Sequence, residues 1–417
     1  VEQLNQASDV YYNGKGELMT DYEWDAKFDQ LKKLEEETGE VLPDSPTNKV
    51  SEDTIVGKKE EHEFAALSLA KTKLVSDLVK WAEDRPIWIS WKLDGLTLVV
   101  TYDNGKLSKI VTRGNGHIGT NITHLASAIS GIPKTIKEKG HLVIRGEAVI
   151  SYADFEQFII ESEGDYANPR NLASGSLSLK DAEEVKQRHI QWIPFTLVYT
   201  EQEINSWGER MQMLQDLGFK PVERTRIEHP DEESIQAEIN RFTQKVTDKT
   251  NPYPVDGLVI CYDDTAYAAT GSVTGHHATR AGYAFKWQDE HADTELDHIE
   301  WSCAANTITP VAVFKPVELE GTTVQRASLC NVSECERLGI GGKGSKLQVI
   351  KANKIIPKVI NVTEPMGIFE IPTECPVCHA KATVKESESG TKTLHCSNPH
   401  CAAKQIKKFA RFVSKEG

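Results

Sequence analysis

The stretch WKLDGL, residues 91–96, places a lysine inside an apolar run that resembles a β-strand. Burying an ammonium group without a partner is costly, so such a lysine is either paired with a carboxylate or used as a nucleophile. Side chains alternate between the two faces of a strand, so Lys92 and Asp94 are predicted to point to the same face. Asp94 could then hold the amine in place, and Gly95 would let a ligand approach the backbone.

Further charged residues recur downstream in settings that also resemble strands: Arg113 in TRGNG, Glu147 in RGE, Asp256 in VDGLVI and Lys286 in AFKW. Each of them alone is typical of a solvated or salt-bridged charge. As an ordered set with Lys92, they fit covalent nucleotidyl transfer to a lysine amine. The amine must react in its neutral form, which burial beside other cations favours. The same cations would stabilise negative charge on a transferring phosphate.

Near the end of the sequence, four cysteines have the spacing Cys-x2-Cys-x17-Cys-x4-Cys: Cys375, Cys378, Cys396 and Cys401. Two thiolate pairs separated by a short hairpin supply the tetrahedral ligand set that Zn2+ prefers. Four protein ligands leave no open coordination position, so the spacing predicts a structural zinc site.

The composition is that of a non-membrane protein of 417 residues, with 39% apolar residues, 26% charged residues and a net charge of −14. There is no apolar run long enough to span a bilayer and no secretory signal at the start. The remaining four cysteines are scattered and are interpreted as reduced thiols, which predicts a cytosolic location. Residues 1–65 hold 17 acidic and 7 basic side chains, whereas residues 375–417 hold 8 basic and 3 acidic. This asymmetry suits a C-terminal part that meets a polyanion.

The pattern of apolar residues changes along the chain. Residues 2–37 have helical spacing, strands and hairpins begin near residue 85, and short strands over 299–362 are predicted to form a small barrel. The sequence GIGGKGSK at 339–346 resembles a phosphate-binding loop, but its order is Gly-Ser-Lys rather than Gly-Lys-Ser. We therefore interpret it as a loop of the barrel.

Over essentially its whole length the chain resembles bacterial-type NAD-dependent DNA ligases. The resemblance rests on KLDG, TRGNG, RGE, YANPRNLASGSL, VDGLVI, YAFKW and a barrel-like segment at 307–331. It implies a multidomain α+β fold. Its expected parts are a helical domain binding nicotinamide mononucleotide (1–65), a nucleotidyltransferase or adenylation domain (66–290), an OB-fold β-barrel (291–370), a four-cysteine zinc finger (371–403) and the start of a C-terminal helical region (404–417). The helix-hairpin-helix and BRCT domains of the family are expected to be missing from this chain.

The resemblance also implies roles for individual residues. Lys92 is the residue that would carry AMP, with Asp94 and Lys286 as its catalytic partners, and Phe195 would stack on adenine. In the helical domain, Trp24 stands in place of the usual tyrosine and Tyr12 in place of the usual histidine. The full set implied in cofactor binding is Tyr11, Tyr12, Asp21, Trp24, Asp25, Ser68, Leu69, Ser90, Arg113, Glu147, Asn168, Arg170, Phe195, Asp256 and Lys286.

Several polar residues of the family pattern are replaced in this sequence. Ser90 stands where a glutamate is usual, Cys261 where a phosphate-binding lysine is usual, and Ser178 and Ala304 where arginines are usual. Loss of one preorganised charge costs on the order of a hundredfold in rate. The resemblance therefore implies a slow or specialised ligase.

The activity implied is the sealing of nicks in double-stranded DNA by a monomer, through lysyl-AMP and 5′-adenylated DNA, with release of nicotinamide mononucleotide (NMN) and AMP. NAD+, Mg2+ or Mn2+, and Zn2+ are the implied cofactors, and the expected location is the bacterial cytosol, or the host cytosol for a virus-encoded protein. Two alternatives stay open. One is an ATP-using ligase or an RNA-capping type of nucleotidyltransferase, and the other is a catalytically weakened protein that binds nicks.

Overall fold

The computed structural model describes the chain apart from residues 13–17, 20, 39–41, 43–44, 48–54, 56, 162–165, 167, 272, 275–276, 279, 288–290, 305–306, 320–321, 353–355, 388–389 and 404–417. Some side chains within helices and strands also lie outside the described residues, among them those of Tyr11, Tyr12, Asp21, Asp25 and Ala304. The chain divides into two compact units. The first holds residues 1–156 and 166–288, and the second holds 157–165 and 289–417.

The helices of the described residues agree with the helical spacing predicted over 2–37 and add further helices downstream. They are α1 (Glu2–Tyr12), α2 (Asp21–Thr38), α3 (Val75–Ala82), α4 (Tyr152–Glu161), α5 (Pro169–Leu177), α6 (Ala182–Lys186), α7 (Trp207–Asp216), α8 (Glu232–Thr247), α9 (Thr265–Ala269) and α10 (Val332–Leu338). Across the part of the chain that the structure describes, no helix is long and apolar enough to cross a membrane.

The first unit is built on two larger sheets. One has the strand order β2-β13-β10-β3-β9 and the other the order β5-β4-β7-β8, while β1 pairs with β6 and β11 with β12. The strands are β1 (Lys59–Glu61), β2 (Ala70–Thr72), β3 (Ile87–Leu93), β4 (Leu96–Asp103), β5 (Lys106–Thr112), β6 (Ile118–Thr120), β7 (Leu142–Val149), β8 (Gln191–Thr200), β9 (Arg224–Ile227), β10 (Val255–Tyr262), β11 (Val273–Thr274), β12 (His277–Ala278) and β13 (Tyr283–Phe285).

Strand β3 lies inside its sheet, with β10 on one side and β9 on the other. Its sequence IWISWKL is apolar at nearly every position, as expected for a strand buried on both faces. Helix α8 covers it: the helix begins with a capping box between Asp231 and Ser234, and the ring of Phe242 meets Trp91 edge-on at a centroid distance of 4.6 Å. Packing therefore fixes the backbone on either side of Lys92.

Strand β10 runs antiparallel to β3 and pairs Gly257 with Lys92, with a bulge between Val255 and Gly257. The bulge inserts Asp256 beside the strand that carries Lys92. Gly257 has φ +152°, and a Cβ at this position would lie 2.2 Å from the carbonyl oxygen of Phe285. Glycine is needed here because β13 approaches so closely.

The second unit is a five-stranded barrel continued by a hairpin. The strands β14-β17-β18-β16-β15 follow one another, and pairing of β14 with β15 closes the barrel. The hairpin of β19 and β20 extends the sheet at β15, where Thr307 pairs with His395. The strands are β14 (His291–Ala304), β15 (Thr307–Leu319), β16 (Thr322–Ser328), β17 (Lys346–Ala352), β18 (Ile356–Glu364), β19 (Ala382–Glu386) and β20 (Lys392–Cys396).

The barrel predicted from the sequence is confirmed, but its strands are longer than expected. Strand β14 has 14 residues and β15 has 13, because each continues through a bulge, between Leu296 and His298 and between Val313 and Val317. Residues 340–345, most of the glycine-rich sequence, form the loop between α10 and β17, as predicted.

We expect Gly95→Ala to lower the free energy of unfolding of the first unit by about 3 kcal/mol or more, through overpacking. An added Cβ would lie 2.1 Å from the carbonyl oxygen of Ala148, a backbone atom fixed by the pairing of β4 with β7. The measurement is urea unfolding followed by tryptophan fluorescence.

Gly218→Ala is the matched control for this substitution. Gly218 has φ +94° but no atom within 4 Å of the added Cβ, so only backbone strain of about 1 kcal/mol is expected. Equal destabilisation of the two variants would contradict the steric role assigned to Gly95.

Candidate active site and metal centre

The amine of Lys92 is held by Asp256. Its Nζ lies 2.7 Å from both Oδ1 and Oδ2 of that carboxylate, and the two side chains are 26% and 14% exposed. Burial alone would raise the pKa of Asp256, but the charges of Lys92 and Lys286 outweigh it and lower that pKa. Lys92 is thus paired with a carboxylate 164 residues away in sequence.

The prediction that Asp94 would hold the amine is wrong. Strand β3 ends at Leu93, so the alternation of faces stops before Asp94, whose backbone N–H donates to the carbonyl of Pro254 at 2.8 Å. The carboxylate of Asp94 instead accepts a hydrogen bond from Nη1 of Arg170 at 2.6 Å. Asp94 and Arg170 therefore form a second ion pair next to the first.

Helix α5 places Arg170 at this ion pair. Asn168 is the N-cap residue, and its side-chain oxygen accepts from the backbone N–H of Asn171 at 2.8 Å, while Pro169 occupies the first helical turn. Asn before Pro is a strong start signal for a helix. Asn168 is predicted to bind cofactor. The contact that the structure shows for it is a helix cap, at the start of the helix that carries Arg170.

Glu147 lies on β7, opposite Thr97 of β4, with only 7% of its surface exposed. It accepts hydrogen bonds from the backbone N–H of Gly95 at 3.2 Å and from Oγ1 of Thr97 at 2.8 Å. Burial raises its pKa to about 7, against the opposing effect of Arg170. Glu147 therefore titrates near neutral pH in the protein without nucleotide.

Gly95 has a second role besides the one predicted for it. The backbone of β7 packs against it at Ala148 and leaves no room for a Cβ, while Gly95 also lines the cavity described below, so the approach of a ligand there stays a prediction. The absence of a side chain at Gly95 is what brings its N–H within reach of Glu147.

A cavity of about 950 Å3 in the first unit gathers most of the predicted nucleotide-binding residues. Lining it are Trp24, Ser68, Leu69, Ser90, Lys92, Arg113, Glu147, Arg170, Phe195, Asp256 and Lys286. These residues come from separate parts of the sequence between 24 and 286, and the fold brings them to one space. Such a concave site with several convergent charged groups is suited to a charged small molecule.

Arg145 is a cavity residue that the sequence argument missed, although it is part of the RGE motif. Its Nη2 donates to the carbonyls of Phe64 at 3.1 Å and Ala65 at 2.8 Å. Burial lowers its pKa to about 10, with a smaller effect of Arg113. Arg145 thereby anchors the segment leading to Ser68 and Leu69.

Trp24 lines the end of the cavity formed by α1 and α2. Its indole N–H is within 3.0 Å of Oγ of Ser8, and its ring stacks on Phe28 at a centroid distance of 4.8 Å. The ring is therefore held in a fixed orientation. The other residues predicted for this end, Tyr11, Tyr12, Asp21 and Asp25, have side chains outside the described residues.

Two of the substituted positions, Ser90 and Cys261, line the cavity. Ser90 is 4% exposed and lines the cavity, and so does Cys261, whose thiol has its pKa raised by burial and by Asp263. Cys261 is thus neutral near pH 7 and replaces a cation with an uncharged group. Ser178 ends α5, where its hydroxyl donates to the carbonyl of Ser174 at 3.3 Å.

The four cysteines predicted to bind zinc come together in the second unit. Their sulfur atoms all lie within 4.8 Å of one another. Among the described residues, these cysteines are the group of three or more side chains close enough to share a metal ion. The Sγ–Sγ distances are 3.9 Å for Cys375 and Cys401 and 3.5 Å for Cys378 and Cys396. A tetrahedral Zn2+ with bonds of about 2.3 Å requires about 3.8 Å between sulfurs. The cluster therefore fits zinc held in a closed, structural site.

Comparison with known families agrees with this geometry. The profile of the NAD-dependent DNA ligase adenylation domain matches residues 58–290, more than half of the chain. The chain belongs to the NAD-dependent DNA ligase family. The OB-fold domain of these ligases matches residues 293–366, and a DNA ligase-like N-terminal NAD+-binding domain matches residues 1–51.

Bacterial relatives named DNA ligase align with the whole chain. The identity is 43% to the protein of Lachnoclostridium phytofermentans, 41% to that of Ruminiclostridium cellulolyticum and 33% to that of Leptospira biflexa. This chain spans 63%, 63% and 62% of their lengths. Among solved structures, a mycobacterial DNA ligase D with ATP and MES aligns over 80% of this chain and 96% of its own, at 12% identity and a TM-score of 0.35, too low to support an argument.

Glu147→Gln should remove a pH dependence of stability. Because the folded pKa of about 7 lies above the unfolded value near 4.3, the folded protein keeps a proton that the unfolded chain releases between these pH values. Stability of the wild type should therefore fall by up to about 3 kcal/mol as the pH rises from 4.5 to 7, relative to the glutamine variant.

The measurement is urea unfolding of both proteins at pH 5 and pH 8. Glu201→Gln, at an exposed glutamate, is the charge-matched control and should follow the wild type. If the free energy of unfolding changes with pH in the same way for the wild type and for Glu147→Gln, burial does not raise the pKa of Glu147.

Cys378→Ser should lose zinc and destabilise the second unit. Strand β20 ends in a ligand, Cys396, and pairs with β15, and Ile308 and Leu394 pack with the cysteines in one buried cluster. Zinc content by plasma mass spectrometry and thermal unfolding are the measurements. Cys330→Ser, at an exposed cysteine outside the cluster, should keep one zinc per chain. Equal zinc in the two variants would contradict the site.

Proposed function

We propose that this chain carries out NAD-dependent sealing of nicks in double-stranded DNA, through lysyl-AMP on Lys92 and a 5′-adenylated DNA intermediate. The observation that carries the proposal is the partly buried lysine of KLDG, Lys92, held by Asp256 at 2.7 Å on the wall of a cavity lined with cations. A lysine in this setting is suited to attack a phosphate, because the surrounding cations stabilise the negative charge on the transferring phosphate.

In the first step the nitrogen of Lys92 forms a bond to the adenylate phosphorus of NAD+. Asp256 already accepts hydrogen bonds from Nζ and takes the proton that must leave before attack. The phosphorus–oxygen bond to the NMN half breaks, and its electron pair stays on the oxygen of the NMN phosphate. A second proton is lost from nitrogen to solvent. The products are lysyl-AMP and NMN.

The remaining cavity residues would bind and orient the nucleotide. Lys286 and Arg113 would contact the phosphate and ribose, Phe195 would stack on adenine, and Glu147 would hold the ribose while keeping its bonds to Gly95 and Thr97. The hydrogen bond from Arg170 of α5 to Asp94 joins this helix to the residues that follow β3. Tyr11, Tyr12, Asp21, Trp24 and Asp25 would bind the nicotinamide half, and Ser68, Leu69, Ser90 and Asn168 complete the proposed set.

A divalent cation, Mg2+ or Mn2+, would neutralise phosphate charge when bound. Among the described residues, the group of three or more clustered metal-ligating side chains is the one formed by the four cysteines. The carboxylates of Asp94 and Asp256 are paired with Arg170 and Lys92. The cation therefore fits a mode in which it arrives with the phosphates rather than in a protein cage.

The five-part domain division of the sequence analysis, nicked duplex DNA as substrate, a monomeric state and a cytosolic location belong to the same proposal. The matches to adenylation, OB-fold and N-terminal NAD+-binding domains support the division. The names of the relatives support the substrate.

Incubation with labelled NAD+ should transfer AMP covalently to the wild type, and Lys92→Ala should abolish both this adduct and nick sealing. Lys106→Ala, at an exposed lysine of β5 outside the cavity, should keep both activities. The adduct is detected by gel and by intact mass. An adduct with ATP in place of NAD+ would favour the ATP-using alternative, and nick binding without any adduct would favour the weakened binding protein.

A further inference from the structure

Lys92 and Lys286, the two lysines of the proposed first step, lie on either side of Gly257. Strand β10 pairs Gly257 with Lys92, and a Cβ added to Gly257 would lie 3.5 Å from the Cα of Lys286. Burial raises the pKa of Asp256, the residue before this glycine, but the charges of both lysines lower it. The distance between the two lysines therefore depends on how firmly the chain is held beside each of them.

A buried tryptophan adjoins each of these lysines in the sequence, and each indole N–H donates a hydrogen bond. Trp91 directly precedes the first lysine and donates to Oε2 of Glu223 at 3.1 Å. Trp287 directly follows the second lysine and donates to Oγ1 of Thr243 at 2.9 Å. Because a buried N–H without a partner is costly, each contact holds its ring, and with it the backbone beside the lysine, in one place.

The two acceptors are both tied to one turn of α8, residues 241–245. Thr243 lies in this turn. Glu223 directly precedes β9 and accepts hydrogen bonds from Nη1 of Arg241 at 3.3 Å and from Nζ of Lys245. The same turn of α8 thus reaches both indole rings, and through them the chain beside both lysines.

The hydroxyl of Thr243 has two contacts. It donates to the carbonyl of Ile239 at 2.7 Å, as a threonine within a helix often does, and it accepts from the indole of Trp287. The first contact uses the hydroxyl proton and leaves a lone pair for the indole. Thr247, an exposed threonine one turn later, donates to the carbonyl of Thr243 at 3.1 Å, and among the described residues this is its hydroxyl's contact. The bond to Trp287 therefore distinguishes Thr243 from an ordinary helical threonine.

We propose that Thr243 is a positioning residue for Lys286, acting through the indole of Trp287 to keep that lysine at its working distance from Lys92. This inference rests on the proposed function, in which Lys286 stabilises charge on the adenylate phosphate while Lys92 attacks it. A preorganised cation is effective only where charge develops, so a small displacement of Lys286 slows the chemical step without releasing the nucleotide. Thr243 itself is outside the set of residues proposed to touch NAD+.

Thr243→Val keeps the branched shape of the side chain and removes the acceptor. In single-turnover experiments it should form the NAD+ adduct about tenfold more slowly at saturating NAD+, while the NAD+ concentration that gives half the maximal rate changes by less than about twofold. Thr243→Ser keeps the hydroxyl and should react at about the wild-type rate. A Thr243→Val variant with the wild-type rate, or with a change in the half-saturating concentration alone, would overturn the positioning role.

Thr247→Val is the matched control, since it makes the same substitution one turn later in α8 and removes the same kind of bond to a helix carbonyl. It should form the adduct at the wild-type rate. If Thr247→Val is slowed as strongly as Thr243→Val, the effect is a general one of the helix and the assignment to the indole contact is wrong.

Trp287→Phe tests the same contact from its other side. It removes the indole N–H and should slow adduct formation by a similar factor. In the double variant with Thr243→Val the two losses should not multiply, because both changes remove one contact. A double variant about a hundredfold slower than the wild type would show two separate effects and overturn the assignment. Urea unfolding of each variant establishes that the rates belong to folded protein.

The wild type in the same experiment separates this inference from the proposed function. A wild type that forms no adduct with NAD+ overturns the proposed function. A wild type and a Thr243→Val variant that form the adduct equally fast overturn only the role of Thr243, because the covalent chemistry on Lys92 is then present without any need for the contact to Trp287.

Discussion

The ion pair between Lys92 and Asp256 is the constraint on which the rest of the first unit depends. A partly buried lysine near the end of an apolar strand is stabilised by a carboxylate at hydrogen-bond distance. Here the carboxylate comes from the neighbouring strand β10, and the pairing of Gly257 with Lys92, with its bulge, sets the 2.7 Å contact. Packing of β3 under α8 and the close approach of β13 at Gly257 are needed to keep that register. The chemistry of the cavity is therefore a consequence of strand pairing.

Much of the local pattern could be predicted from the sequence because it depends on neighbours in the chain. The buried strand around Lys92, the barrel and the cysteine cluster all rest on short-range spacing or on apolar periodicity, and the structure contains each of them. The four cysteines are the clearest case, since a hairpin between β19 and β20 is enough to bring two pairs together.

The partners of the charged residues could not be predicted in the same way. Period-two alternation assigned Asp94 to Lys92, but β3 ends one residue too early, and the carboxylate that holds the amine is 164 residues away. The close approach of β7 to Gly95 was likewise not predicted, although Gly95 does line the cavity. Both contacts have one physical cause: the side of a residue that meets a partner is decided by tertiary register, which local sequence does not contain. Arg145 was missed although it belongs to the RGE motif, because its contacts with the carbonyls of Phe64 and Ala65 depend on the tertiary fold.

The charge balance around Lys92 follows from these pairings. Lys92 with Asp256 and Arg170 with Asp94 are neutral as pairs, and Cys261, which also lines the cavity, is uncharged near pH 7. The charge presented to a bound phosphate then depends on the other cations of the cavity, among them Lys286 and Arg113, and on Glu147, whose pKa burial raises to about 7. Protonated Glu147 leaves the cavity more positive, and ionised Glu147 makes it less so. Because the cations of Lys92 and Arg170 are already paired with carboxylates, we expect part of the stabilisation of a transferring phosphate to come from a divalent ion that is carried in with the nucleotide.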